Sequence, residues 1–307
     1  MDKINRRSFI KKTGSVTAGL GILAAFPSIL YANKGLIKPD FKISLAEWSL
    51  HRELGAGKMT NLDFPVKAKK DYGIDAVEYV NSFFKDKAKN KEYLKKLNRI
   101  CNDNGVSNVL IMIDGEGQLG DVDKAKRKTA IENHYKWVDA AAYLGCHSIR
   151  VNAGGGGTAI ELAKAVTESL GTLSEYGKKN KINIIVENHG GNSSNGKWLS
   201  DVMKKVNNPY CGTLPDFGNF NIGGGEVYDR YKGMKELMPY AKGVSAKSYD
   251  FDEEGNETKM DFIRIMKIVK EAGYRGYIGI EYEGGRLSEH DGIIATKKLL
   301  DKVFKKL

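Results

Sequence analysis

The chain has 307 residues, 41% of them hydrophobic, and its 49 lysines and arginines against 38 aspartates and glutamates give a formal net charge of +11. The basic residues recur on helical faces such as 91–96, without a long basic block or basic-aromatic interleaving, which excludes a nucleic-acid-binding surface. Cys101, Cys146 and Cys211 are too few for a disulfide framework, and Cys146 and Cys211, where strands should begin, read as small buried residues.

Residues 1–32 stand apart. Asn5-Arg6-Arg7-Ser8-Phe9-Ile10-Lys11 resembles a twin-arginine export signal, and a moderately apolar stretch follows over 16–31. That stretch is short for a spanning helix of roughly 20 apolar residues. Leu30-Tyr31-Ala32 offers a cleavage site, with a leucine where a small residue is usual. The expectation is export in the folded state by the twin-arginine route. Release into the periplasm and retention as a periplasm-facing anchor both stay open, and membrane contact is expected only through this segment. Residues 33–307 are long enough for one large single domain.

From residue 41 onward, apolar strand-like runs alternate with amphipathic helical ones. The runs 42–49, 74–80, 107–113, 147–152, 182–187, 211–216, 242–247 and 277–282 read as strands. Helical patterns follow at 61–71, 90–103, 121–144, 158–180, 196–206, 226–238, 259–272 and 290–305, with Gly73, Gly105, Gly145 and Gly273 just past helix ends. Eight such pairs predict an α/β fold, a (β/α)8 TIM barrel of the usual size of roughly 250 residues. A doubly wound open sheet is the alternative, but no GxGxxG run follows the first strand. In a barrel the C-terminal strand ends carry the active site. Those ends are polar here: His51, then Glu78 and Asn81, Asp114, Arg150 and Asn152, and Asn188 and His189.

Three late runs close on a carboxylate: Ile184-Ile185-Val186-Glu187, Gly212-Thr213-Leu214-Pro215-Asp216 and Tyr277-Ile278-Gly279-Ile280-Glu281. Strands buried on both faces tolerate an ionised side chain only where it is paired or metal-bound. Convergence on one charged site follows. A fourth run, Val244-Ser245-Ala246-Lys247, ends in a hydroxyl and an amine. The lysine could partly neutralise the three carboxylates, but one ammonium cannot balance them all. Trp48 fits a core position and a sugar-stacking platform equally well, and His134 and His147 read as structural.

Together, 140–151, Ile185-Val186-Glu187-Asn188-His189-Gly190, Leu214-Pro215-Asp216-Phe217-Gly218-Asn219 and Gly279-Ile280-Glu281-Tyr282-Glu283-Gly284 resemble the xylose isomerase-like TIM-barrel superfamily of sugar (phosphate) isomerases and epimerases. The resemblance implies one divalent metal held by Glu187, Asp216 and Glu281. It also implies that the two glutamates act as acid and base on opposite faces of the substrate. Ser245 occupies the position of the superfamily's strand-seven ligand, and Asn219 stands where many members have histidine. An all-oxygen set without histidine favours Mn2+ or Mg2+ over Zn2+. The chemistry implied is metal-assisted proton abstraction next to a carbonyl. Catalytic roles are expected for Glu187, Glu281 and Lys247, and substrate contacts for His51, Arg150, His189, Asn219 and Glu283.

The leading expectation is an exported carbohydrate isomerase or epimerase acting on a sugar or oxidised sugar. A lyase or hydrolase acting on 3-oxo-glycosides by enolisation and β-elimination is the second. A non-catalytic sugar-binding barrel is the third. The oligomeric state is left open.

Overall fold

The computed structural model describes residues 41–307. The segment expected to direct export, residues 1–32, lies outside the described residues. Among the described residues no helix is long and apolar enough to cross a membrane.

Eight parallel strands form one sheet: β1 (Lys42–Ala46), β2 (Ala76–Val80), β3 (Ser107–Met112), β4 (Ser148–Val151), β5 (Asn183–Glu187), β6 (Cys211–Leu214), β7 (Val244–Ser248) and β8 (Tyr277–Tyr282). Each strand pairs with its sequence neighbour, except that β8 closes onto β1 and the β6–β7 seam is irregular. At that seam Pro215 has no N–H to give, so the ladder is reduced to isolated bonds. Lys242 N–H donates to the Thr213 carbonyl, Ser245 N–H to the Pro215 carbonyl and Phe217 N–H to the Ser245 carbonyl, each at 3.0 Å. These bonds close the barrel and set Asp216 directly opposite Ser245.

The outer layer is eight helices: α1 (Phe64–Tyr72), α2 (Lys91–Asn104), α3 (Lys124–Leu144), α4 (Ala159–Asn180), α5 (Gly196–Val206), α6 (Arg230–Leu237), α7 (Phe262–Glu271) and α8 (Glu289–Phe304). Seven of the eight starts are set by side chains that accept the free N–H groups of the first turn, from Asn90, Asp123, Thr158, Asn195, Asp229, Asp261 and Ser288. Thr158 and Glu161 complete a reciprocal capping box. Gly73, Gly105 and Gly145 end α1, α2 and α3 in the left-handed conformation, as their sequence positions predict.

The main apolar core lies between the sheet and the helices. Inside the barrel a smaller apolar cluster of Ala46, Ala76, Val80, Leu110, Met112, Ile185 and Leu214 fills part of the space. The rest of the interior is polar: Ser44, Glu78, Ser148, Arg150, Glu187, Asp216, Ser245, Lys247 and Glu281 are all buried. Barrel interiors are ordinarily packed with branched apolar residues, so this polar share makes the interior the candidate place for binding or chemistry.

Most boundaries shift by up to three residues from the sequence reading, and the helix expected from 226 begins only at Arg230, because Glu226–Val227 pairs in a hairpin instead. The first strand stops at Ala46, because Glu47–Leu50 turns into a short 3-10 helix leading to the one-turn helix His51–Gly55. The sixth stops at Leu214, because Pro215 breaks the ladder. Beyond β6 a small antiparallel hairpin, Asn221–Gly223 with Glu226–Val227, rises from the barrel mouth.

Candidate active site

Glu187 ends β5, Asp216 follows β6 and Glu281 lies near the end of β8. One carboxylate oxygen from each falls within 4.8 Å of the other two, and all three residues are buried. The convergence predicted from the three strand endings is therefore present. Lys247 reaches the same point from β7, with its Nζ 3.0 Å from Glu281 Oε1, 3.3 Å from Glu283 Oε2 and 4.0 Å from Asp216 Oδ2. The stem of this lysine passes where a side chain on Gly218 would stand: a Cβ there would lie 3.0 Å from Lys247 Cδ and 2.8 Å from the Tyr249 hydroxyl.

Asp216 is held on both oxygens. Its Oδ1 accepts the N–H groups of Gly218 and Asn219, each at 2.8 Å, and its Oδ2 accepts the Ser245 hydroxyl at 2.6 Å. Ser245 at the strand-seven position thus becomes a hydrogen-bond donor to the aspartate. Asn188, fully buried, ties β5 to this turn. Its Oδ1 accepts the Asp216 N–H at 2.7 Å, and its Nδ2 donates to the Asp216 carbonyl at 3.0 Å and the Asn219 carbonyl at 2.9 Å.

Glu187 is positioned from two sides. Asn219 Nδ2 donates to its Oε1 at 3.0 Å. Arg150 Nε lies 2.9 Å from its Oε2, an ion contact whose direction does not make a hydrogen bond. The same guanidinium donates to Asp114 Oδ1 at 2.8 Å, and Asn152 donates to that oxygen at 2.7 Å. Arg150 therefore serves as a buried counter-ion and presents Asp114 at the mouth. Glu283 accepts Trp48 Nε1–H at 2.6 Å.

His189 is exposed on the rim. His51 stacks on Trp48 and meets the Trp48 carbonyl at 2.7 Å. That contact and a 3.5 Å approach to Glu289 occupy its Nδ1, leaving only part of the ring facing the mouth. His134 and His147 are satisfied by the Ala130 carbonyl and the Ser148 hydroxyl, in keeping with structural roles.

The electrostatics follow from burial. Loss of solvent raises the pKa of Glu187, with Arg150 opposing and Glu281 adding to the rise. Loss of solvent likewise raises Asp216, opposed by Lys247. Burial works against the charge of Lys247, but Asp216 and Glu281 outweigh it and hold its pKa well above the ordinary value. Lys247 is thus an ammonium and a poor nucleophile.

One layer deeper is Glu78, which the sequence placed among the strand-end residues. The barrel register sets it opposite Ala46, within the interior. Ser44 donates to its Oε1 at 2.5 Å, while its Oε2 has no partner. Burial pushes its pKa to about 8, so at neutral pH it is largely protonated. Glu47, which the sequence reading passed over, is fully buried beside β2 and raised to about 8 by the same cause. It accepts Asn61 Nδ2 and the Val80 N–H, both at 2.9 Å.

The residues fit a hard divalent cation. The carboxylates Glu187, Asp216, Glu281 and Glu283 outnumber the two cations, one of which Arg150 shares with Asp114. Glu187 Oε2 and Glu281 Oε2 are buried without a hydrogen-bond partner. Buried carboxylate oxygens that accept no hydrogen bond, in an all-oxygen set, are what such an ion would satisfy.

Comparisons with known proteins agree with this architecture. Among solved structures, a D-tagatose 3-epimerase-like protein superposes with a TM-score of 0.67 at 17% identity, over 87% of this chain and 98% of that one. An IOLI protein with a bound zinc atom gives 0.67 at 15% identity, over 87% and 99%. In sequence, 66 residues are 46% identical to the C-glycoside deglycosidase alpha subunit of Arthrobacter globiformis, 20% of this chain and 19% of that protein. The match thus spans about a fifth of the curated relative's length. Residues 66–303 match the xylose isomerase-like TIM barrel family, and the chain belongs to that family.

Proposed function

We propose that this chain is a carbohydrate-active enzyme that removes the proton next to the carbonyl of an oxidised sugar, with isomerisation or epimerisation as the outcome. The observation carrying this reading is the buried meeting of Glu187, Asp216 and Glu281, two of them with an oxygen that accepts no hydrogen bond, beside the Lys247 ammonium. Glu187, Asp216 and Glu281 would hold Mn2+ or Mg2+, which when bound polarises the substrate carbonyl.

In this reading Glu187 takes the α-proton. Its raised pKa suits a base working near neutral pH, and Arg150 and Asn219 fix its direction. Glu281, anchored by Lys247, returns a proton on the other side. Lys247 and Asn219, 3.4 Å apart, supply donors to developing negative charge. His189, Glu283 and the exposed part of His51 contact sugar hydroxyls. The proposed setting outside the cytoplasm rests on residues 5–11 alone.

The likeness to the deglycosidase alpha subunit favours a second reading in which the same proton abstraction serves elimination. The C–H electron pair becomes the enolate, then a C=C bond, as the group on the β-carbon leaves with its bonding pair and takes up a proton. Incubating the protein with Mn2+ and a panel of keto-sugars and 3-oxo-glycosides separates the readings. Interconversion of epimers or isomers supports the first, and release of the aglycone with an unsaturated sugar supports the second. No conversion of any compound by Mn2+-loaded protein, with binding retained, would leave a sugar-binding barrel and overturn both.

A further inference from the structure

The barrel mouth is divided. The side formed by β4 to β8 carries Arg150, Glu187, Asp216, Lys247, Glu281 and Glu283. The side formed by β1 and β2 is aromatic. Trp48 and Phe83 stack there with ring centroids 6.1 Å apart and planes at 28°, and His51 lies against Trp48 at 4.8 Å and 16°. All three rings are partly exposed, and Trp48 and Phe83 rest on the apolar interior cluster that includes Ala46, Val80 and Met112.

The two sides are joined through one residue. Glu283 accepts the indole N–H at 2.6 Å with one oxygen and lies 3.3 Å from Lys247 with the other. The indole's one polar group is therefore satisfied, and the wall beyond Glu283 offers flat apolar surface. A hydroxylated ring seated over Glu281 and Lys247 finds its polar partners up to Glu283. Whatever that ring carries farther toward β1 and β2 meets Trp48 and Phe83, where bare hydroxyls would go unpaired.

We infer that the Trp48–Phe83 wall is an aglycone subsite, and that the substrate is an oxidised glycoside bearing an aromatic aglycone. This inference rests on the proposed reading of the site as one for an oxidised sugar. Aromatic stacking together with apolar burial gives a selectivity of about tenfold or more.

Two probes test it, methyl and 4-nitrophenyl 3-oxo-β-D-glucopyranoside, each titrated calorimetrically into the Mn2+-loaded protein. The expected result is a dissociation constant about tenfold or more lower for the aryl compound. Phe83→Leu, which does not touch Glu283, should bring the ratio of the two constants close to one, and Trp48→Phe should reduce it in part. An unchanged ratio in Phe83→Leu, or an equal loss for both compounds in both variants, would assign the wall to the sugar ring and overturn the inference. Solvent deuterium exchange into the same compounds keeps the two proposals apart. A selective ratio without exchange sinks the reaction and leaves the subsite; exchange with a ratio of one does the reverse.

Discussion

Lys247 decides the character of the charged cluster. Its ammonium lies 3.0 Å from Glu281 and 4.0 Å from Asp216, so it competes with a divalent cation for the same carboxylates. Lys247→Met should therefore tighten Mn2+ binding by about tenfold or more while lowering turnover, because the donor to the developing oxyanion is lost. Weaker Mn2+ binding in calorimetry would show instead that the lysine holds the carboxylates in place. Ser245→Ala removes the one side-chain donor to Asp216 Oδ2 in a fully buried setting. It should cost about 1.5–3 kcal/mol of stability, read from denaturant unfolding. The carboxylate trio was legible in the sequence because each member closes an apolar run, where a free charge is costly. The partner of each was not. Lys247 reaching Glu283, and Glu283 reaching Trp48, depend on side chains crossing between strands, which no local pattern records.

Strand order and helix caps were similarly legible, because periodicity and end residues are local signals. Depth within the barrel was not: Glu78 reads as a strand-end residue until the fold sets its carboxyl against Gly279, two residues before Glu281 on β8. That depth explains Gly279 on β8. A Cβ there would stand 2.6 and 2.7 Å from the two carboxyl oxygens of Glu78, so the strand carries glycine to admit the buried acid. Gly279→Ala should destabilise the barrel by about 1–3 kcal/mol. Combining it with Glu78→Ser should recover much of that loss in thermal unfolding. Additive losses in the double variant would mean that the two residues do not share this space. Glu47 was missed for a related reason: the sequence reads 42–49 as one strand, whereas the chain turns at Ala46 and buries the glutamate against β2.

For the molecule as a whole, Glu47 and Glu78 couple stability to pH. Both carboxyls rise from 4.5 to about 8 on burial, so between those values the folded chain binds protons that the unfolded chain has released. Their contribution is complete below about pH 4.5 and is lost as pH rises toward 8, at roughly 1.4 kcal/mol per pH unit for each group. Unfolding free energies measured from pH 5 to 9 should show this decline, and Glu78→Gln, which keeps an acceptor for Ser44, should flatten it. An unchanged slope would place the Glu78 proton elsewhere. The same barrel holds the carboxylates whose joint action is the central claim, and solvent exchange of the substrate α-proton tests that claim most directly. In D2O with Mn2+, the protein should catalyse deuterium incorporation next to the carbonyl of a 3-oxo-glycoside, and Glu281→Gln and Glu187→Gln should each slow it by about 100-fold or more. No incorporation at saturating Mn2+ and substrate, or incorporation that persists undiminished in both variants, would contradict the account.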